Sequence, residues 1–201
     1  MRKFLLVLLV AGAVFAQGPS KLERTVTGHT LVSKSDPAVK LSFAEPFTYA
    51  GGQVIDIFHV AEAEQHFFVE AAQDRSIQRF YWIQFEHYYP SNGHTYDYSG
   101  IKSSPLKIGS IEFLADTRIG QNYFNADTRT GSDSEAGRKL LEQKGYKLEG
   151  AFVRVRMFYL TDSTKSKELM VIYGEALTPE LSEEAAKKQA EDHAKEWLKV
   201  E

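Results

Sequence analysis

Along most of the chain, apolar residues alternate with polar ones or gather in short β-branched and aromatic runs, with turn residues between them. A period of two interrupted by Gly, Pro, Asn and Asp predicts strands rather than helices. Val26–Lys34 alternates modestly until Asp36-Pro37 breaks it. Val39–Phe43 and Phe47–Tyr49 are short β-prone pieces, the second ending at Gly51-Gly52, and Val54–Val60 ("VIDIFHV") has strand composition throughout.

Glu64–Tyr89 ("EQHFFVEAAQDRSIQRFYWIQFEHYY") reads as one long hairpin turning at Gln73–Ser76. A symmetric turn there sets Glu70 opposite Arg79, Phe68 opposite Tyr81 and Phe67 opposite Trp82. An opposite-charge pair and two aromatic pairs favour the same register, and a slip of one residue loses all three. Leu148–Leu160 and Lys167–Ala176 form a second hairpin around "TDSTKS". It places Val155, Met157 and Tyr159 opposite Tyr173, Val171 and Leu169, with Arg154 and Arg156 on the other face. Lys107–Leu114 and Ile119–Phe124 are further strand expectations. Pro90–Pro105 is a long loop, a length uncommon unless it serves something.

Two segments change to helical signals. Ser132-Asp133-Ser134-Glu135 has the form of a capping box and predicts a short helix to Lys144, stopped by Gly145. Thr178-Pro179 reads as a cap followed by Pro at the first helical position, opening a helix to about Val200. Glu183/Lys187, Glu184/Lys188 and Glu191/Lys195 are spaced to pair along it. Its thin apolar stripe of Leu181, alanines, Trp197 and Leu198 predicts a surface helix anchored near its ends. Together these describe one α+β domain over residues 26–201: an antiparallel sheet built from at least two long hairpins, a short internal helix and a C-terminal helix.

The first residues fall outside this pattern. Arg2 and Lys3 precede an apolar run from Phe4, and Val14-Phe15-Ala16 offers small residues for a cut before Gln17. Residues 1–16 therefore read as a cleaved secretory signal peptide, followed by a polar lead-in over 17–25. The apolar run is shorter than the ~20 residues that span a bilayer. Export to a periplasm or the exterior is the expected location. The chain has no cysteine, which removes disulfides, thiolate chemistry and Cys-ligated zinc. Its formal charge of −3 becomes more negative once Arg2 and Lys3 are gone, and this argues against nucleic acid or an anionic membrane as partner.

Candidate chemistry concentrates in "FYWIQFEHYYPSNGHTYDYSG", residues 80–100. On a strand, Phe80, Trp82, Gln84, Glu86 and Tyr88 share one face and Tyr81, Ile83, Phe85 and His87 the other, so both faces carry apolar mass and the strand is expected to be central. Gln84 and Glu86 then need partners, and Arg154 and Arg156 are the donors expected to reach them if the hairpins share a sheet. The ordinary alternative is a cross-strand ion-pair ladder with no ligand.

Other clusters point less sharply. His94, Tyr96, Asp97 and Tyr98 suit acid–base work, but no nucleophile motif accompanies them. His59, Glu62, Glu64 and His66 are zinc-type ligands without the H-E-x-x-H spacing. Residues 125–135 resemble a calcium loop, yet Arg129 and Thr130 stand where a ligand and the glycine belong.

The resulting expectation is an exported, soluble, non-catalytic protein that binds a small polar or anionic ligand in an aromatic, Arg/Glu-lined recess. Phe67 and Trp82 would wall it, Gln84 and Glu86 orient the ligand, Arg154 and Arg156 neutralise it, and the Pro90–Pro105 loop rim it. No catalytic residue, metal or cofactor is assigned. The alternatives are an envelope interaction module using the long loop and last helix, and a hydrolase or metal enzyme using His66, His87 or His94.

Overall fold

The computed structural model describes residues 21–121, 129–177 and 180–201. The expected signal peptide, the expected Thr178-Pro179 cap and any strand beyond Gln121 lie outside the described residues. The architecture is α+β, with two antiparallel sheets, one internal helix and one near the C-terminus. In chain order the strands are β1 (Thr25–Thr27), β2 (Thr30–Ser33), β3 (Val39–Phe43), β4 (Thr48–Ile57), β5 (Ala61–Ala71), β6 (Ile77–Tyr88), β7 (Ser104–Ile108), β8 (Ile111–Gln121), β9 (Ala151–Leu160), β10 (Lys167–Ala176) and β11 (Leu198–Val200). The helices are α1 (Asp133–Gln143) and α2 (Glu183–Glu196).

The large sheet runs β4-β5-β6-β10-β9-β8-β7 and the small one β1-β2-β3-β11. Both hairpin registers follow the sequence pattern. Glu70 faces Arg79, Phe68 faces Tyr81 and Phe67 faces Trp82, and Arg79 donates to Glu70 at 2.7 Å. Tyr173, Val171 and Leu169 face Val155, Met157 and Tyr159. The hairpins meet along β6 and β10, with Trp82 beside Ile172, Gln84 beside Met170 and Glu86 beside Glu168.

β6 is buried on both faces, as its composition demands. On the first face Tyr81, Ile83 and Phe85 join Val155, Val171 and Tyr173, covered by Leu41 and Phe43 of the small sheet and by α2. On the second, Phe80, Trp82, Phe152 and Ile172 pack with Leu141 of α1 and with Tyr98 and Ile101 of the loop between β6 and β7.

Several boundaries depart from the sequence expectation. A turn at Gly109-Ser110 splits Lys107–Leu114 between β7 and β8. Gly109 has φ +58°, and a Cβ there would lie 2.0 Å from the Val200 carbonyl oxygen, so this turn seats directly against β11. Ile119 belongs to β8 rather than to a separate strand. Phe47–Tyr49 does not stop at the glycine pair, because β4 continues through Gly51-Gly52 by way of a bulge.

The terminal helix is shorter than expected. Ser182 caps it, its hydroxyl accepting from the Ala185 amide, and the chain leaves it at Trp197 to form β11 against β3. Its alanines are the packing face: Ala186, Ala190 and Ala194 are fully buried, which small side chains permit because the helix then lies close on the sheet. Of the charge pairs expected on it, Glu183–Lys187 forms at 3.7 Å. Lys188 instead meets Asp192 at 2.6 Å, and Glu191 accepts from Thr117 of β8 at 2.5 Å.

Candidate functional site

The second face of the large sheet carries a row of polar groups where its apolar packing ends. Gln53 of β4 donates to Gln65 of β5 at 2.8 Å, Gln65 donates to Gln84 of β6 at 2.8 Å, and Gln84 donates to Glu86 Oε2 at 2.5 Å. Each amide is both donor and acceptor, so the chain polarises in one direction and ends on the carboxyl of Glu86. Glu86 Oε1 accepts from Tyr96 Oη at 2.8 Å. The carbonyl of Asp133, at the start of α1, takes a second bond from Gln65 at 3.1 Å.

Glu168 stands opposite Glu86 on β10 and accepts a hydrogen bond from the Tyr98 hydroxyl. Burial pushes the Glu86 carboxyl above the ordinary carboxylate range. Asp133 adds to this, while Tyr96 and Gln84 oppose it. Burial likewise raises Glu168, with the charge of Glu86 adding and Tyr98 opposing. Two acids on facing residues of adjacent strands cannot both ionise cheaply in a dry setting.

Tyr96 and Tyr98 belong to the loop of residues 90–103, which folds back over this face. Their rings continue a stack: Tyr88 to Tyr96 at 4.5 Å, Tyr96 to Tyr98 at 6.3 Å, and Tyr98 to Phe158 of β9 at 4.3 Å. The Tyr96 amide donates to the Lys165 carbonyl at 2.8 Å. Between the loop and strands β8 and β9 an open cleft of about 510 Å³ remains. Tyr96, Tyr98, Ile101, Leu114 and Phe158 line it, with Asp97, Ser99, Glu112 and Lys165 among its polar groups.

The six residues singled out by sequence do share this face, but they divide into three environments. Phe67 and Trp82 are fully buried, with ring centroids 5.5 Å apart, and serve as core. Gln84 and Glu86 belong to the polar row. Arg156 is directed outward to Asp116 of β8, its Nε and Nη2 bonded at 2.7 and 2.6 Å. Arg154 lays its guanidinium over Gly120, with Nη2 2.9 Å from where a Cβ would sit. Both arginines therefore lean toward β8, and β10 stands between their strand and Glu86. The expected reach of Arg154 and Arg156 to Gln84 and Glu86 gives way to this arrangement. The reason is Asp116, directly opposite Arg156 and buried, which needs a cation more than half-buried Glu86 does.

Glu168, Asp116, Gln65 and Phe158 escaped the sequence reading. Glu168 is the strongest omission. An acid at the start of the apolar run "ELMVIYG" is a usable signal, but its significance depends on the β6–β10 pairing, which nothing local specifies.

The first face holds a second polar group. His66, fully buried, bonds Glu64 Oε1 through Nε2 at 2.8 Å and lies 3.0 Å from Tyr49 Oη through Nδ1. Glu64 also accepts the amides of Glu23 and Arg24, each at 2.9 Å, and the Arg24 guanidinium at 3.1 Å. Burial works to raise the Glu64 carboxyl, but the bonds from His66, the two amides and Arg24 overturn this and hold it down at about 2. Burial and the charge of Glu64 push the Tyr49 phenol up to about 12. Arg24 stacks on Phe85, 4.3 Å from the ring centroid.

The histidines of the enzyme alternative are dispersed: His66 inside, His87 half-buried on β6 and His94 exposed on the loop. His59 bonds Asp56 in the β4–β5 turn, apart from Glu64 and His66. Among the described residues no group of three or more His, Asp or Glu is placed to hold a metal ion, and no helix is long and apolar enough to cross a membrane. No family model, curated protein or solved structure matches this chain.

Proposed function

We propose that this is an exported binding protein that takes a small polar ligand with a flat apolar face in the cleft between the 90–103 loop and strands β8 and β9. The observation that carries the reading is the composition of the cleft. A wall of Tyr96, Tyr98 and Phe158 with Ile101 and Leu114 faces the carboxylates of Asp97 and Glu112, the hydroxyl of Ser99 and the ammonium of Lys165. Aromatic walls with a few polar groups are the usual make-up of a small-molecule site. Mixed charge favours a neutral or zwitterionic ligand. A strongly anionic one is less well served, since Arg156 and Arg118 both meet Asp116.

A macromolecular partner has weaker support. The exposed large apolar side chains among the described residues are Leu22 and Phe58, too small and separate in sequence to suggest a docking patch.

The test is a panel of monosaccharides, amino acids and nucleosides titrated into the isotope-labelled protein and followed by amide chemical shifts. Shifts confined to 96–103, 112–114 and 158–165 support the site. Leu114→Trp, which fills the cleft from a half-buried position, is expected to weaken binding at least tenfold with the spectrum otherwise intact. A bound ligand whose affinity ignores that substitution overturns the assignment. Recovery of the mature chain beginning at Gln17 from the periplasm or medium tests export.

A further inference from the structure

The 90–103 loop is fastened to the sheet by groups that titrate. Its two tyrosine hydroxyls end on Glu86 and Glu168, and those carboxyls are direct cross-strand neighbours, a position that puts Cβ atoms ~4.5–5.5 Å apart. The groups facing the pair are Gln84 from β6, Tyr88 at the end of β6, Tyr96 and Tyr98 from the loop, and Asp133 from the start of α1. All are neutral or acidic. His94 and Lys102 on the loop and Lys165 beyond β9 are exposed, while Lys167 of β10 and Arg156 of β9 pair with Asp36 and Asp116.

We infer that the 90–103 loop is a proton-dependent latch: the Tyr96–Glu86 and Tyr98–Glu168 hydrogen bonds hold it down while the facing carboxyls retain a proton between them, and it lifts when both ionise.

Linkage fixes the direction. Closed, Glu168 is buried and Glu86 half-buried, and both carboxyls are raised. Lifting the loop admits water and returns them toward ordinary carboxylate behaviour. The open form therefore binds fewer protons, and rising pH must favour it. The phenol bonds strengthen as their acceptors ionise, which delays opening. They cannot cancel the repulsion between two facing charges while the cations of the neighbouring strands are engaged elsewhere, Lys167 on Asp36 and Arg156 on Asp116. Tyr96 and Tyr98 are also walls of the cleft, so a lifted loop dismantles it. That consequence, ligand held at lower pH and released at higher, rests on the binding reading above. The latch itself does not.

The experiment is amide hydrogen exchange on the full chain at about pH 5 and about pH 9, with each amide corrected for its intrinsic rate. Residues 94–101 are expected to lose protection at least tenfold at the higher pH, while β6 and β10 keep theirs. Glu168→Gln, which retains an acceptor for Tyr98 but no charge, is expected to keep the loop protected at both values. Glu86→Gln serves the same purpose if the first variant does not fold, and Tyr96→Phe/Tyr98→Phe is expected to leave the loop open throughout. Equal protection at both pH values in the parent chain, or an unchanged pH response in the glutamine variants, overturns the latch. A pH-dependent loop in a protein that binds nothing from the panel would overturn the cleft assignment alone. Binding with a pH-insensitive loop would overturn the latch alone.

Discussion

Glu64 shows how one residue can order a whole neighbourhood. Its two oxygens receive two backbone amides, a guanidinium and an imidazole, so the lead-in at Glu23 and Arg24 is fastened to β5 by charge-assisted bonds rather than by apolar burial. Replacing Glu64 by Gln removes the charge and leaves Arg24 and His66 facing a poorer acceptor. The expected loss is roughly 3–5 kcal/mol in urea unfolding, the range for breaking a buried pair from one side. The pH signature is specific. A carboxyl held down at about 2 contributes stability that is present above the ordinary carboxylate pKa of ~4.3 and disappears as pH falls through its folded value. Glu64→Gln should therefore flatten the acid side of the stability profile, read as the urea midpoint against pH. An unchanged acid limb would remove Glu64 as its source.

Among the elements, the close fits are made by the smallest residues. Gly174 lies under the ring of Phe80, and a Cβ there would come within 2.3 Å of it. Phe80 is fully buried in the second-face core and cannot move aside. Gly174→Ala is expected to cost about 1–3 kcal/mol by overpacking, measured by denaturant unfolding, with β10 keeping its register because its apolar alternation is untouched. Helix α1 tests the opposite case, a purely local device. The Ser132 hydroxyl accepts from the Glu135 amide at 3.2 Å, and Gly145 takes φ +79° just past the end. Ser132→Ala should cost about 1 kcal/mol without changing the sheet. These signals act within a few residues, which is why both ends of α1 could be read from sequence while those of α2 could not. The helix begins after Ser182, and its expected last residues are drawn into β11 by a strand far away in sequence.

For the molecule as a whole, the C-terminal segment is the tie between the sheets. α2 lies on the large sheet through Ala186, Ala190 and Ala194, and β11 then adds to the small one, Leu198 to Phe43 and Val200 to Leu41. Lys40 and Glu201 exchange backbone bonds at 2.9 and 3.0 Å beyond it. A chain ending at Trp197 would lose the burial of Leu198 and Val200, each worth roughly 1.5–3 kcal/mol. Calorimetry should show a lower melting temperature, with the loss of exchange protection concentrated in β3 and β2. A truncated chain as stable as the parent would show that the small sheet does not need this strand.

Sequence by itself determined what depends on near neighbours: the alternation that makes strands, both hairpin registers through their cross-strand pairs, the capping of α1, and the burial of β6 on both faces. Tertiary structure alone decided which hairpin lay beside which, and the site follows from that choice. Pairing β6 with β10 set Glu86 against Glu168, and pairing β9 with β8 gave Arg156 to Asp116. No local preference distinguishes these partnerships, because an exposed strand edge offers the same amides and carbonyls to any neighbour. The choice is made by how the apolar faces fit and by which buried charges find a counterpart, and both are properties of the assembled chain.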